Sequence, residues 1–370
     1  MNLLKYKRVL VLVVVVVIVI FIIDRYVPSL VRFYYRHTYK SLNIKDGIEF
    51  EKKIRNGTFK TIESGTWGLP MASSKSFFRY LISSNNIMGY GEYGYLLHYA
   101  FLYAEKKKDN EMMQLIKEKF DNYWLKDGRF ERSDQVTYGT VALDLFRWTN
   151  NDVYKSFANT LLLHISKKTE NGLILYREGS SEQHVDAVGL VCPFLFYYQD
   201  VCKDTLSLSL AKRMAEDYVK WGTDPITGIP CQTYDTKSHI KKNHVNWGRG
   251  SSWYLLGVNN LESEDSIVYK RIELLNSTLI KMDTYLYPQY LGKNSMPDLS
   301  ATIPILYYLN AKRHISLSKD QLAQILSPYI DEEGVIRYCS PSITRPHVGV
   351  NILYTNLFCQ GLLLLLLSEL

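Results

Sequence analysis

Apolar residues are distributed along the chain in three ways, and each predicts a different kind of helix. The first is an unbroken run, Val9 to Ile23 (VLVLVVVVVIVIFII), with Lys5, Lys7 and Arg8 before it and Asp24 and Arg25 after it. As a helix these residues span about 22 Å at 1.5 Å per residue, so Leu3 and Leu4 or Tyr26 and Val27 must help cover a bilayer core. A cleaved signal peptide has the same basic start and apolar middle. Asp24-Arg25-Tyr26-Val27-Pro28 offers no small residues for cleavage, however, so an uncleaved signal anchor is expected. Arg25, Arg32, Arg36 and Lys40 balance the basic residues that precede the run, and charge alone does not orient it. The shortness of the leading basic tail places that tail in the cytoplasm and the large domain outside.

The second arrangement recurs. A glycine or small residue opens an apolar stretch, a polar break follows, and a more amphipathic helix comes next. The openings are Gly94-Tyr95-Leu96-Leu97, Gly139-Thr140-Val141-Ala142, Asp186-Ala187-Val188-Gly189-Leu190, Gly250-Ser251-Ser252-Trp253, Leu299-Ser300-Ala301-Thr302 and Asn356-Leu357-Phe358-Cys359-Gln360-Gly361. Six openings at intervals of roughly 45 to 60 residues predict six helical hairpins that bury their shared apolar faces against one another. Closed into a ring they form an all-α, (α/α)6 barrel, and left open they form a solenoid. Inner helices, such as Gly189 to Tyr198, are apolar nearly all round. The third arrangement belongs to outer helices, such as Leu208 to Val219, which keep a charged face. Residues 1–28 are thus expected to form the anchor, 29–60 a juxtamembrane helix or linker, and 61–370 the barrel. Thr223 to Tyr234 (TDPITGIPCQTY) carries turn chemistry in Asp-Pro and Thr-Gly and predicts a short hairpin excursion at the barrel mouth.

Composition narrows the function. The chain is 46% hydrophobic and 22% charged, so disorder is not the expectation. The formal net charge is +7, but Lys106 to Lys108 and Lys241 to Lys242 are the only short basic runs. They read as solvated faces, and nucleic acid is excluded as a partner for want of a concentrated basic patch. The 29 tyrosines offer flat apolar faces with polar edges, which suit sugar rings as well as protein interfaces. Five cysteines form no CxxC pair, so neither a zinc knuckle nor a disulfide scaffold is supported. His184, His239 and His244 lack the spacing of a metal-binding helix, and no metal or other cofactor is expected. The chain contains no GxSxG, Walker or GxGxxG motif for acyl transfer or nucleotide chemistry.

Two aspartates stand at the starts of predicted inner helices, Asp134 in SDQVTYG and Asp186 in HVDAVGLVCPFL. Asp134 reads equally as a helix cap or as a functional acid. Asp186 precedes a long apolar helix directly, where burying a carboxylate is costly without a function or a partner to justify it. The densest signal is Asn246-Trp247-Gly248-Arg249-Gly250-Ser251-Ser252-Trp253. Two indole faces and an arginine fork could stack a sugar ring and hold a carboxylate, or the segment could be a Trp-lined core turn.

These residues resemble the unsaturated glucuronyl and rhamnogalacturonyl hydrolases of glycoside hydrolase families 88 and 105, from roughly Tyr90 to the carboxyl terminus. Trp247 to Trp253 looks like the family's WGRGNGW with Ser251 and Ser252 replacing Asn and Gly, and Asp186 sits as in the family's LDxxxMxxPFL. Asp134, followed by Gly139 and LDLFRWTNNDVYK, resembles the second aspartate, and Asp298-Leu299-Ser300-Ala301-Thr302 resembles the DxSAT segment. The resemblance implies an (α/α)6 barrel and an unusual reaction, in which an acid protonates C4 of a 4,5-unsaturated uronic acid at the non-reducing end. Water adds at C5, and the resulting hemiketal opens and expels the remaining oligosaccharide. It implies Asp186 as the proton shuttle and Asp134 as its assistant or a hydroxyl ligand. Arg249 would face the uronate carboxylate, while Trp247 and Trp253 stack on the sugar.

The chain departs from the family where TGxxxHxxD reads Thr227 to Asp235 and puts Gln232 in the histidine's place. Gln binds a hydroxyl but does not exchange a proton near neutral pH. Tyr90-Gly91-Glu92-Tyr93-Gly94 matches the family's WxYxxG loosely, which makes Tyr90 and Tyr93 subsite candidates. The expected partner is therefore an oligosaccharide or polysaccharide, with the bilayer as a second partner through the anchor. Oligomeric state is left open. Two other readings stand beside this one: a tethered glycan-binding or polysaccharide-assembly protein with altered or lost catalysis, and a conventional glycosidase using Asp134 and Asp186 as its acid and base.

Overall fold

The computed structural model describes residues 3–66, 88–126, 130–170, 172–175, 179–243, 246–293, 296–340, 350 and 353–370. Among these, six helices follow from the six apolar openings: α3 (Gly91–Lys107), α5 (Thr137–Thr149), α7 (Val185–Cys202), α9 (Gly248–Val258), α11 (Leu299–Ala311) and α13 (Leu357–Glu369). Each packs on the next, and α13 packs back on α3, which closes the ring. Their residues are buried almost throughout, as their uninterrupted apolar character demands. Two glycines set the separation of one neighbouring pair. A Cβ on Gly189 would lie 2.5 Å from the Trp253 carbonyl oxygen, and one on Gly257 would lie 2.8 Å from that of Val188, so α7 and α9 approach backbone to backbone.

Outer helices surround this ring. They are α4 (Asn110–Phe120), α6 (Asp152–Ser166), α8 (Thr205–Gly222), α10 (Ser266–Lys281), α12 (Lys319–Leu326) and α2 (Gly47–Ser64). Helices α4, α6 and α8 back α3, α5 and α7, while α10 lies against α8, and α2 packs against α4, α12 and α13. Each outer helix starts from its own side-chain cap: Asp46, Asp109, Asn151, Asp204, Asp265 or Ser318 accepts from a first-turn N–H. Inner helices α3, α5, α7 and α9 have no such cap of their own. Their starts share one end of the ring, where the connecting segments gather to form the mouth.

Within the stretch expected as a juxtamembrane helix or linker, residues 47–64 form an outer helix that buries Phe50, Ile54 and Ile62. The N-terminal helix runs past residue 28, as α1 extends over Leu3–Thr38 with Pro28 inside it. From Leu10 to Ile23 its side chains are exposed, and over Leu10–Thr38 the helix is long and apolar enough, by length and composition, to cross a membrane. Helix α7 is the other such helix among the described residues, but most of it is buried as a wall of the ring. Beyond α1 the chain is fixed at once: Ser41 bridges Asp331, and Leu42 N–H donates to the Ile330 carbonyl at 2.8 Å.

Short strands build the mouth. Strands β1 (Thr169–Glu170) and β2 (Leu173–Ile174) pair with each other. Strands β3 (Glu182–His184), β4 (Thr233–Asp235) and β5 (Lys241–Lys242) form an antiparallel sheet in the order β3-β4-β5. The expected excursion is present as a turn closed by a Thr223–Pro230 bridge, with Asp224 accepting from the N–H groups of Ile226 and Thr227.

Candidate functional site

The Asp186 carboxyl lies in the first turn of α7, directly after β3. Its Oδ1 is buried and has no hydrogen-bond partner among the described residues. Burial raises its pKa from the ordinary aspartate value to about 6, with the Arg249 guanidinium pulling it down and the Glu92 carboxylate pushing it up. A rise of that size corresponds to about 3 kcal/mol. The helix N-terminus works in the opposite direction but supplies only about 1 kcal/mol, so burial wins.

Arg249, in the first turn of α9, is buried. Its guanidinium lies over the Trp247 ring at 5.6 Å, and Nη2 donates to the Ser340 carbonyl at 3.0 Å. Across from it stands Glu92, in the first turn of α3, with Oε1 3.7 Å from Arg249 Nη1 and 3.5 Å from Asn356 Nδ2. Burial raises the Glu92 pKa, Arg249 opposes the rise and Asp134 adds to it. Four inner helices thus send groups to one place: Glu92 from α3, Asp186 from α7, Arg249 from α9 and the cap Asn356 from α13.

Asp134 borders this cluster but is already engaged. Arg132 holds both of its oxygens, with Nε 2.8 Å from Oδ1, and the N–H of Gly91 lies 3.4 Å from Oδ2. It therefore serves the start of α3, and its proximity to Glu92 keeps it in the site's electrostatics. Arg132 in turn lies over the half-exposed Tyr90 ring at 5.1 Å. Gln232 is placed beside Asp186 through the backbone, since its carbonyl accepts from the N–H of Val185 at 3.0 Å.

Two of the aromatic candidates lie deeper. The Trp253 ring is buried and stacks on Phe358 at 4.6 Å and Tyr95 at 6.2 Å, one helical turn below Arg249. Tyr93 is fully buried and donates to the Ile62 carbonyl at 3.2 Å, tying α3 to α2. Trp247 is buried as well, with Arg249 over its ring, and its backbone bridges Tyr290. Asp298 caps α11 and accepts from the N–H groups of Ser300 and Ser340, which fixes the segment that binds Arg249. Glu92 is, with Asn356, a group of this cluster that sequence reasoning missed. Its one available signal was an acid two residues into the first apolar opening, which reads equally as an ordinary first-turn acid. Among the described residues no cluster of His, Cys, Asp and Glu could hold a metal ion, and His244 lies outside them.

Comparison with solved structures places the same architecture elsewhere. A possible member of the GH105 family from Salmonella enterica subsp. enterica serovar Paratyphi A superposes with a TM-score of 0.68 at 17% identity, over 88% of this chain and 94% of that one. A glycosyl hydrolase family 88 protein from Bacteroides vulgatus gives 0.61 at 15%, over 87% and 98%. An inactive variant of the alpha-1,6-mannanase GH76A of Salegentibacter sp. HEL1_6 gives 0.62 at 14%, over 87% and 98%. At these identities the likeness concerns the fold. No curated protein matches the sequence. The model of the Glycosyl Hydrolase Family 88 matches residues 76–370, a span that contains all of these site residues. The chain belongs to Glycosyl Hydrolase Family 88 and is a glycoside hydrolase.

Proposed function

We propose that this glycoside hydrolase uses Asp186 as its general acid and base to hydrate a 4,5-unsaturated uronic acid at the non-reducing end of an oligosaccharide. The observation that carries this reading is the buried, unpartnered Oδ1 of Asp186 facing the Glu92–Arg249 pair. A carboxyl with a pKa near 6 holds a proton for donation around neutrality and takes one back from water afterwards. Asp186 gives its proton to C4, and positive charge develops at C5. Water adds there while the Asp186 carboxylate recovers a proton, and the hemiketal opens with release of the remaining sugar.

Arg249 receives the uronate carboxylate, Trp247 and Tyr90 present faces to the rings, and Gln232 and Asp134 bind hydroxyls. Tyr93 and Trp253 hold the wall behind them. Helix α1 anchors the enzyme in a bilayer with the barrel outside the cytoplasm, a reading supported by its exposed apolar length. The test is the ultraviolet absorbance of the carbon-carbon double bond in lyase-generated unsaturated disaccharides. Wild-type enzyme should remove it and Asp186→Asn should not. Persistent absorbance with every such substrate, or an active Asp186→Asn, would overturn the assignment. Hydrolysis of saturated glycans alone would favour the conventional glycosidase.

A further inference from the structure

Arg249 is held by contacts of unequal firmness. Its Nη2 has a short bond to the Ser340 carbonyl at 3.0 Å, and its face rests on Trp247. Its approach to Glu92, at 3.7 Å, is longer than a hydrogen bond. Two other arginine pairs with little exposure are closed, at 2.9 Å for Arg55–Asp109 and 2.7 Å for Arg337–Asp331, whereas the more exposed Arg147–Glu105 pair stands at 3.6 Å. The second neighbour of Glu92 Oε1 holds it by a long hydrogen bond, with Asn356 Nδ2 donating at 3.5 Å. Glu92 therefore faces the guanidinium without being locked to it.

The charges around it make this arrangement selective. Asp186 and Asp134 both oppose the Glu92 carboxylate, and Asp134 is matched by its own Arg132. Among the described residues, the buried Arg249 guanidinium acts on both Glu92 and Asp186. A sugar carboxylate that approaches Arg249 meets a carboxylate already there, whereas a neutral sugar meets no such rival.

We propose that Glu92 is a specificity-determining residue, an internal competitor that a sugar carboxylate must displace from Arg249. The proposal rests on the reading that Arg249 receives the acidic group of the substrate. It predicts that the enzyme tolerates esterified or otherwise neutral end sugars better than a bare arginine pocket would, and that removal of the Glu92 charge makes it an acid-selective site.

The experiment is a binding titration of the full chain in detergent, carrying Asp186→Asn to stop turnover, with and without Glu92→Gln. The two probes are an unsaturated glucuronyl disaccharide and its methyl ester, which share a ring and differ in charge. Glu92→Gln should lower the Kd of the free acid roughly tenfold and change that of the ester less than twofold. Equal changes for both probes, or weaker binding of the acid, would mark Glu92 as a structural residue and overturn the proposal. Should the Glu92→Gln protein fail to fold, the protein with Glu92 intact still decides. There the ester should bind at least as tightly as the acid, and a tenfold preference for the acid sinks the idea. The absorbance assay on wild-type enzyme judges the proposed reaction separately, so a failed competitor and a failed reaction give different results.

Discussion

Two aspartates on the inner ring are treated in opposite ways. Asp144, on α5, is fully buried and completely engaged: His98 Nδ1 lies 2.7 Å from Oδ2, and the Tyr197 hydroxyl donates to Oδ1 at 2.6 Å. Arg147 donates to that same hydroxyl at 2.8 Å. Asp186 begins α7 about 16 Å along the helix from Tyr197, and its Oδ1 has no hydrogen-bond partner among the described residues. Burial of a carboxylate is tolerable where partners replace water, as at Asp144. At Asp186 the fold withholds a partner, and the cost appears as a raised pKa. The closed depth of the ring is built for stability and its mouth for chemistry.

Asp186→Asn should produce the largest difference, a fall in kcat of about 100- to 10,000-fold with no loss of melting temperature. A melting temperature that drops as far as that of an Asp144 variant would erase the contrast. The same residue has a pH signature. Proton donation requires the acid form, so kcat/KM should fall tenfold per pH unit above about 6. Because the folded pKa lies above the unfolded one, the charged form is the one that folding disfavours. Asp186 therefore destabilises most above pH 6, and its penalty fades as pH falls from about 6 toward the ordinary aspartate value. A comparison of wild type with Asp186→Asn by denaturant titration across that window should show the gap closing toward acid.

Next in size is Asp144→Ala, which strands His98 and the Tyr197 hydroxyl and should lose about 3 kcal/mol in chemical denaturation. The kcat of the folded fraction should be unchanged, and a large kcat loss would show that the two ends of the ring are coupled. Gly189→Ala should cost about 1 to 3 kcal/mol, because its Cβ meets the Trp253 backbone rather than a movable side chain. Smallest is Tyr93→Phe, about 1 kcal/mol for the lost bond to Ile62, with KM unaffected. A rise in KM there would bring Tyr93 back to the sugar.

The ring was legible in the sequence because burial on all sides leaves a mark. Residues such as those of Gly189 to Tyr198 have no polar face, and small residues recur where backbones must meet. Asp186 stood out for the same reason, as a charge at the threshold of such a helix. Glu92 did not, since an acid in a first turn is commonplace and its meaning comes from Arg249, far along the chain. Trp253 lies within a sugar-stacking motif, but four residues beyond Arg249 means one turn deeper, where Phe358 and Tyr95 already occupy its faces. The packing of helix α2 was not legible, because its partners α12 and α13 lie at the other end of the sequence.

The pin at Ser41 and Leu42 has a spatial consequence. Only Tyr39 and Lys40 separate it from the end of α1, a leash of about 7 Å at full extension. The segment that receives the pin, at Ile330 and Asp331, continues to Ser340, whose carbonyl holds Arg249. On the proposal that α1 lies in a bilayer, so short a leash would keep the mouth close to that surface. An enzyme held so would search a plane rather than a volume, and a glycan would become its substrate as much by lying within that thin layer as by its chemistry.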